Sequence, residues 1–299
     1  MDETVRRGDA GRLSTALNRG APLRERMAKQ KLQTPTILGI PFDAQSSYLR
    51  GAADAPPLIR QALRCDASNL WSETGVDVGG KGALADAGDL KLGEKGAFSE
   101  IEAGVAELLR NGAQPLCLGG DHSVTYPVVR AFAKKFRDLT IVHFDAHPDL
   151  YDNFEGNRLS HACPFARIME EKLAKRLVQI GIRTWNEHQK EQAKKFKVKI
   201  VPMIELPALS KVKKLRGPVY VSFDVDALDP AFAPGVSHRE PGGLSVRAAI
   251  AHLHAIGGQV VGADLVEFNP RQDVAGMTAT VCGKLVKEMV GVMWRKGGD

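Results

Sequence analysis

The stretch Leu139-Thr140-Ile141-Val142-His143-Phe144, running straight into Asp145-Ala146-His147-Pro148-Asp149, decides the fold. Its first half is a short apolar, β-branched run, which predicts a buried strand. Its second half sets two carboxylates and an imidazole where that strand ends. Two further segments repeat the arrangement. Residues 115–118 lead into Gly119-Gly120-Asp121-His122, and residues 219–223 lead into Asp224-Val225-Asp226. Strands this continuously apolar belong to a parallel sheet covered on both faces. In open sheets of that kind, ligands sit at the carboxyl ends of the strands.

Working outward, strand and helix signals alternate with little filler. Strands are expected at 36–40, 115–118, 139–144, 177–182, 198–201, 219–223 and 259–263. Helices are expected over 57–63, 98–110, 127–136, 187–196, 246–256 and 277–294. The alternation predicts an α/β fold with helices on both faces of the sheet. No repeat or linker divides residues 32–299, so they read as one catalytic domain. Residues 1–31 are rich in Arg and Ala, carry Asp2, Glu3, Asp9 and Glu25, and lack an apolar core. They read as an N-terminal helical arm or a leader.

The bulk composition narrows the function classes. With 43% hydrophobic and 25% charged residues among 299, the chain can bury a large core without staples. No apolar run approaches a bilayer span, which argues against a membrane partner. The net charge is +6, but 35 acids are interspersed and no basic stripe alternates with aromatics, which argues against nucleic acid. Cys65, Cys117, Cys163 and Cys282 form no CxxC pair, which suits a reducing, cytoplasmic location.

His122, Asp145, His147, Asp149, Asp224 and Asp226 together offer four carboxylates and two imidazoles. That much negative charge in one small site calls for cations. A pair of divalent metals is the simplest answer, and a metal pair suggests hydrolysis by a water acidified between the ions. Oxygen and imidazole ligands suit manganese, magnesium, iron, nickel or zinc. Asp145 and Asp224, each the first acid after its strand, are the natural bridges. Taken singly, each segment also reads as a turn or a helix cap; the three together favour the metal centre. His161, in a polar loop, is a candidate proton relay or substrate contact. Glu267 is a candidate partner for a cationic substrate, because carboxylate and guanidinium match through two hydrogen bonds. His238 lies in a loop that would line the mouth of the site, and His143 within its strand is expected to make a structural hydrogen bond.

The chain resembles the ureohydrolase family, which contains the arginases and agmatinases. The resemblance rests on Gly-Gly-Asp-His-Ser (119–123), Phe-Asp-Ala-His-Pro-Asp (144–149) and Ser-Phe-Asp-Val-Asp-Ala-Leu-Asp-Pro (222–230), and extends from about Gly39 to the C-terminus. It implies a three-layer α/β/α sandwich around an eight-stranded, mainly parallel sheet. It also implies two manganese ions, with nickel, iron, cobalt or zinc as other divalent possibilities. One ion would be held by His122, Asp145, Asp149 and Asp224, the other by Asp145, His147, Asp224 and Asp226. The resemblance further implies that Asp149 steers the attacking water, that His161 shuttles protons and that Glu267 grips the guanidinium. Trimers or hexamers are the implied homo-oligomers.

Residues 154–162 and 233–243 resemble the plant-type arginases and their bacterial agmatinase-like relatives. In the second stretch His238 and Arg239 stand where many relatives carry a Gly-Thr-Gly-Thr-Pro-like run. The expected substrate is a small guanidino compound, with agmatine (giving putrescine and urea) first. Arginine (giving ornithine and urea) follows, with Arg239 or Asn157 as the groups that could meet its carboxylate. Guanidinobutyrate and formimidoylglutamate are further alternatives. A non-catalytic partner subunit is the reading from another class.

Overall fold

The computed structural model describes residues 34–93, 95–205 and 210–295, so the predicted arm or leader at 1–31 lies outside the described residues. The eight strands are β1 (Pro35–Gly39), β2 (Ala85–Asp89), β3 (Gln114–Leu118), β4 (Thr140–Phe144), β5 (Arg176–Ile182), β6 (Lys199–Pro202), β7 (Pro218–Asp224) and β8 (Gln259–Val266). They form one sheet in the order β2-β1-β3-β8-β7-β4-β5-β6. Every pairing in it is parallel. The helices are α1 (Ala55–Leu63), α2 (Ala97–Arg110), α3 (Thr125–Lys135), α4 (Pro164–Glu170), α5 (Glu187–Lys195), α6 (Ser210–Lys213), α7 (Val246–His254) and α8 (Met277–Met293).

Strand side chains alternate between faces, and the core splits accordingly. Ile37, Leu116, Val142 and Val221 pack on one face with Ile59 of α1, Leu253 of α7 and Leu285 and Met289 of α8. Their neighbours Leu38, Cys117, Ile141 and Tyr220 pack on the other with Ile101 and Val105 of α2, Phe132 of α3 and Phe165 of α4. The result is the expected three-layer α/β/α sandwich. The eighth strand, β2, escapes a hydrophobic reading because Ala-Asp-Ala-Gly-Asp is exposed along its whole length at the sheet edge. No described helix is long and apolar enough to cross a membrane, and all four cysteines are free.

The strand order positions the site. The chain leaves β3, passes over the places that β8 and β7 later fill, and resumes at β4. The four central strands β3, β8, β7 and β4 therefore end side by side, and all three acid- and imidazole-bearing segments and Glu267 follow them directly.

Candidate metal centre

The turn after β3 is set by backbone contact. A Cβ on Gly120 would lie 1.7 Å from the Phe42 carbonyl oxygen, so only glycine fits. Asp121 N donates to that same oxygen (2.9 Å). The Asp121 side chain faces away from the centre. It caps the turn through Ser123 N (3.1 Å) and accepts from Gln45 N (2.9 Å) and Ser46 Oγ (3.4 Å). His122, fully buried, then points its ring at the ends of β4 and β7.

The tautomer of His122 follows from its outer partners. Asp264, buried in β8, accepts from Ser222 Oγ (2.7 Å), Tyr220 OH (2.7 Å) and Thr125 Oγ1 (2.9 Å). The single Ser222 proton goes to Asp264, so Ser222 Oγ accepts from His122 Nε2 (3.0 Å). His122 Nδ1 is left with a bare lone pair. It lies 3.2, 3.1 and 3.1 Å from Oδ2 of Asp145, Asp149 and Asp224, yet makes no hydrogen bond. A lone pair and three carboxylate oxygens converging on one point is an arrangement that fits a cation.

A second group adjoins the first. His147 Nδ1 lies 3.0 Å from Asp226 Oδ2 and 3.4 Å from Asp145 Oδ1. Asp145 thus turns one oxygen to each group, as a bridge requires. Asp224 turns Oδ2 to His122, while its Oδ1 accepts Asp226 N (2.8 Å). Ligand atoms of Asp145, His147 and Asp226 fall within 4.8 Å of one another, as do those of His122, His143 and Asp145. His143 nevertheless has both nitrogens engaged. Nδ1 accepts from Gln179 Nε2 (2.9 Å), which also donates to Pro148 O (2.6 Å), and Nε2 donates to Asp145 Oδ2 (2.8 Å). Burial keeps the pKa of His143 low, so its role is to orient Asp145, the structural hydrogen bond expected of it.

The electrostatics also fit cations. Burial, then Asp226 and Asp145, push the Asp224 carboxyl well above the ordinary carboxylate range. Burial and Asp145 push Asp226 up to about 6. Burial opposes charge on His147, but Asp226 and Asp145 outweigh it and raise the ring to about 12. Protons compete for a site whose donors are all hard oxygens and imidazoles, the chemistry of a divalent cation pair.

Glu267 and Asp149 both adopt left-handed backbone conformations, with φ of 64° and 49°. Such positions cost about 1–3 kcal/mol each and persist where the surroundings impose them. For Glu267 those surroundings are specific. Its N donates to Gly120 O (2.9 Å), and its Oε1 accepts His122 N (2.8 Å) and meets His161 Nδ1 (2.8 Å). Its Oε2 is buried without a hydrogen-bond partner. His161 is nearly buried; burial opposes its charge, but Glu267 outweighs burial and raises it to about 9.

These groups line a cavity of about 300 Å³ with His147, Asp149, His161, Asp224, Asp226, His238 and Glu267 in its wall. His238 stands 5.3 Å from the His161 ring and 6.0 Å from that of His147, in the cavity wall. Burial and His161 hold its pKa down. Two expected substrate contacts are placed differently. Asn157 is outside the cavity wall and donates from Nδ2 to Gln45 Oε1 (2.6 Å). Arg239 is exposed and also outside the wall, its Nε donating to Pro234 O (2.8 Å) and its Nη2 to Gln272 O (3.3 Å). Neither meets the cavity because local carbonyl and amide groups hold both side chains elsewhere. The remaining wall, including Ser47, Tyr151, Thr184, Asn186 and Gln189, is uncharged and was not legible in the sequence. A wider open groove of about 860 Å³ runs along α1 and β2, but Arg60 and Arg64 there are paired with Asp86 and Asp89.

The comparisons with known proteins agree with this geometry. A family model described as "Arginase family" matches residues 33–291. Arginase 1, mitochondrial, of Arabidopsis thaliana is 47% identical over 273 residues, covering 85% of this chain and 79% of the relative. An agmatinase of Bacillus anthracis is 35% identical over 263 residues, covering 85% and 90%. The structure of arginase from Medicago truncatula superimposes with a TM-score of 0.84 at 42% identity, covering 90% of each chain. With its parallel eight-stranded sheet and the clustered acids and imidazoles at the ends of its central strands, the chain belongs to the arginase family of ureohydrolases, hydrolases that act on guanidino compounds.

Proposed function

We propose that the protein is an arginase, hydrolysing arginine to ornithine and urea with two divalent cations, manganese first among them. The observation that carries the choice of substrate is the uncharged part of the cavity wall. Among the described residues no Lys or Arg lines the cavity, and its acids belong to the ligand cluster and Glu267. Agmatine would bring a lone ammonium to the far end, and guanidinobutyrate a lone carboxylate; each calls for an opposite charge. Arginine brings both charges on one carbon, a net-neutral head that Tyr151, Thr184, Asn186 and Gln189 can meet with hydroxyl and amide donors and acceptors. Formimidoylglutamate, with two carboxylates, fits this wall poorly. The relatives named arginase are also more similar to the chain than the agmatinase, so arginine displaces agmatine as the preferred reading.

His122, Asp145, Asp149 and Asp224 would hold one cation, and Asp145, His147, Asp224 and Asp226 the other. When bound, such a pair supplies Lewis acidity and lowers the pKa of water to near neutrality. Glu267 Oε2, the unpartnered buried oxygen, accepts a guanidinium N–H and turns the guanidinium carbon toward Asp149. His161, protonated below about pH 9, gives its proton to the departing amine.

The test is urea release from arginine, agmatine and guanidinobutyrate side by side with manganese present. Arginine is expected to exceed the others in kcat/KM by at least about tenfold, the scale of one missing charged contact. A higher value for agmatine would overturn the assignment.

A further inference from the structure

His161 has two ring nitrogens, and only Nδ1 faces Glu267. Nε2 faces the other way, to Ser47. Ser47 Oγ lies 2.7 Å from it, and Ser47 N donates to it at 3.2 Å. Ser47 is exposed and lines the cavity. A hydroxyl, an imidazole and a carboxylate thus stand in line from the cavity mouth to the unpartnered Glu267 oxygen.

The loop that carries Ser47 is tied to the turn that carries His122. Asp121, fully buried, accepts from Gln45 N and Ser46 Oγ, the two residues before Ser47. Gln45 also takes His161 N on its carbonyl (3.2 Å) and Asn157 Nδ2 on its side chain. The same turn therefore places His122 in the centre and Ser47 on His161. This explains why a conspicuous acid in the Gly-Gly-Asp-His segment points away from the ligand cluster.

We propose that Ser47 is a positioning residue for His161 and the route by which His161 regains its proton. The inference rests on the hydrolase reading above, in which His161 gives a proton to the departing amine. In the neutral ring, Nε2 accepts from Ser47 Oγ and Ser47 N. In the imidazolium, Nε2–H donates to Oγ. A hydroxyl can serve both states, whereas the backbone N–H serves only the first. In the neutral ring with its proton on Nδ1, Ser47 Oγ passes its proton to Nε2 and takes one from water at the mouth, and the imidazolium so formed gives Nδ1–H to the departing amine. Ser47 is unchanged, one proton has moved from solvent to product, and the ring is left neutral with its proton on Nε2.

The experiment compares Ser47→Ala and Ser47→Thr in the full-length manganese-loaded protein. Ser47→Ala should lower kcat about tenfold, the lower end of what proton transfer through a placed group contributes. KM for arginine should stay within about twofold, added imidazole should recover part of the loss, and Ser47→Thr, which keeps the hydroxyl, should approach wild type. An unchanged kcat in Ser47→Ala, or an equal loss in both variants without imidazole recovery, overturns the proposal. A second measurement does not need turnover. In the diamagnetic zinc-loaded protein, the ¹⁵N resonance of His161 Nε2, assigned through His161→Asn, should shift in Ser47→Ala and hold in Ser47→Thr. A resonance indifferent to Ser47→Ala overturns the proposal even if the protein proves inactive on arginine. A shifted resonance in a protein that releases no urea would sink the substrate reading alone.

Discussion

Ser222 Oγ stands between His122 and Asp264, so one buried hydroxyl decides which imidazole nitrogen faces the ligand cluster. Ser222→Ala removes the acceptor for Nε2–H and leaves the ring free to carry its proton on Nδ1 instead. Manganese affinity, measured by titration calorimetry, should fall about 10–100-fold, the usual effect of losing a ligand's outer partner. An affinity within twofold of wild type would show that His122 is oriented by other means. The six candidate ligands were legible because each is a polar residue following an apolar run. Ser222 and Asp264 were not, although an acid inside the apolar run of β8 is itself a signal that a buried partner awaits it. Arg239 and Asn157 were read as substrate contacts from type and neighbourhood alone. The Pro234 carbonyl accepts from Arg239, while Leu159 N donates to Asn157 Oδ1 and the Gln45 side chain accepts from Asn157 Nδ2; these partners, invisible in a linear reading, hold the two side chains elsewhere.

The element that matters most is the turn between β3 and the 3-10 turn at His122–Val124. Gly120→Ala would drive a methyl into the Phe42 carbonyl, a backbone atom held by Asp121 N and unable to withdraw. The expected loss is about 3 kcal/mol, the upper range for overpacking. Calorimetric unfolding of the metal-free protein measures it without confusion from lost ligand binding, and an unaltered Tm would contradict the close approach. Arg183, after β5, acts on the partner turn. Its guanidinium pairs with no carboxylate among the described residues and donates instead to Asp226 O (2.7 Å), Ala227 O (3.3 Å) and Glu240 O (2.6 Å), fastening the Asp224–Asp226 turn to the His238 loop. Apolar strands were readable as elements because burial on both faces leaves a continuous signal. β2 was not, because an exposed edge strand needs no apolar residue, and α4, seven residues long, gives too few turns for periodicity.

At the scale of the whole molecule, a charged cluster away from the cavity ties three parts of the chain together. Glu73 binds Arg247 of α7 (2.5 Å) and Lys284 of α8 (3.0 Å), and its N donates to the buried Glu288. The hydrogen bond from Arg247, then that from Lys284, lowers the Glu73 pKa from its ordinary 4.5 to about 2. A depressed carboxyl stabilises the fold above its unfolded pKa and loses that effect as pH falls through its folded one. The Tm difference between wild type and Arg247→Gln should therefore be present at pH 7 and shrink away between pH 4.5 and 2. A difference that persists undiminished at pH 2 would place the stabilisation elsewhere. The exposure of Arg247 keeps the effect small.

The strand order has one more consequence, for synthesis on the ribosome. β8 is last in sequence yet lies between β3 and β7, near the middle of the sheet. Until it arrives, two apolar strand edges face each other across an open slot, and Glu267 and Asp264 do not yet exist. A nascent chain can assemble two half-sheets but cannot close the seam between them until residues 259–266 have been made. Parallel strands brought together over so long a stretch of chain pair slowly, and edges left waiting invite other chains. Release halted before residue 259 would leave an open, adhesive sheet, which makes the arrival of β8 and the Glu267 segment behind it the step that turns a vulnerable intermediate into a closed fold.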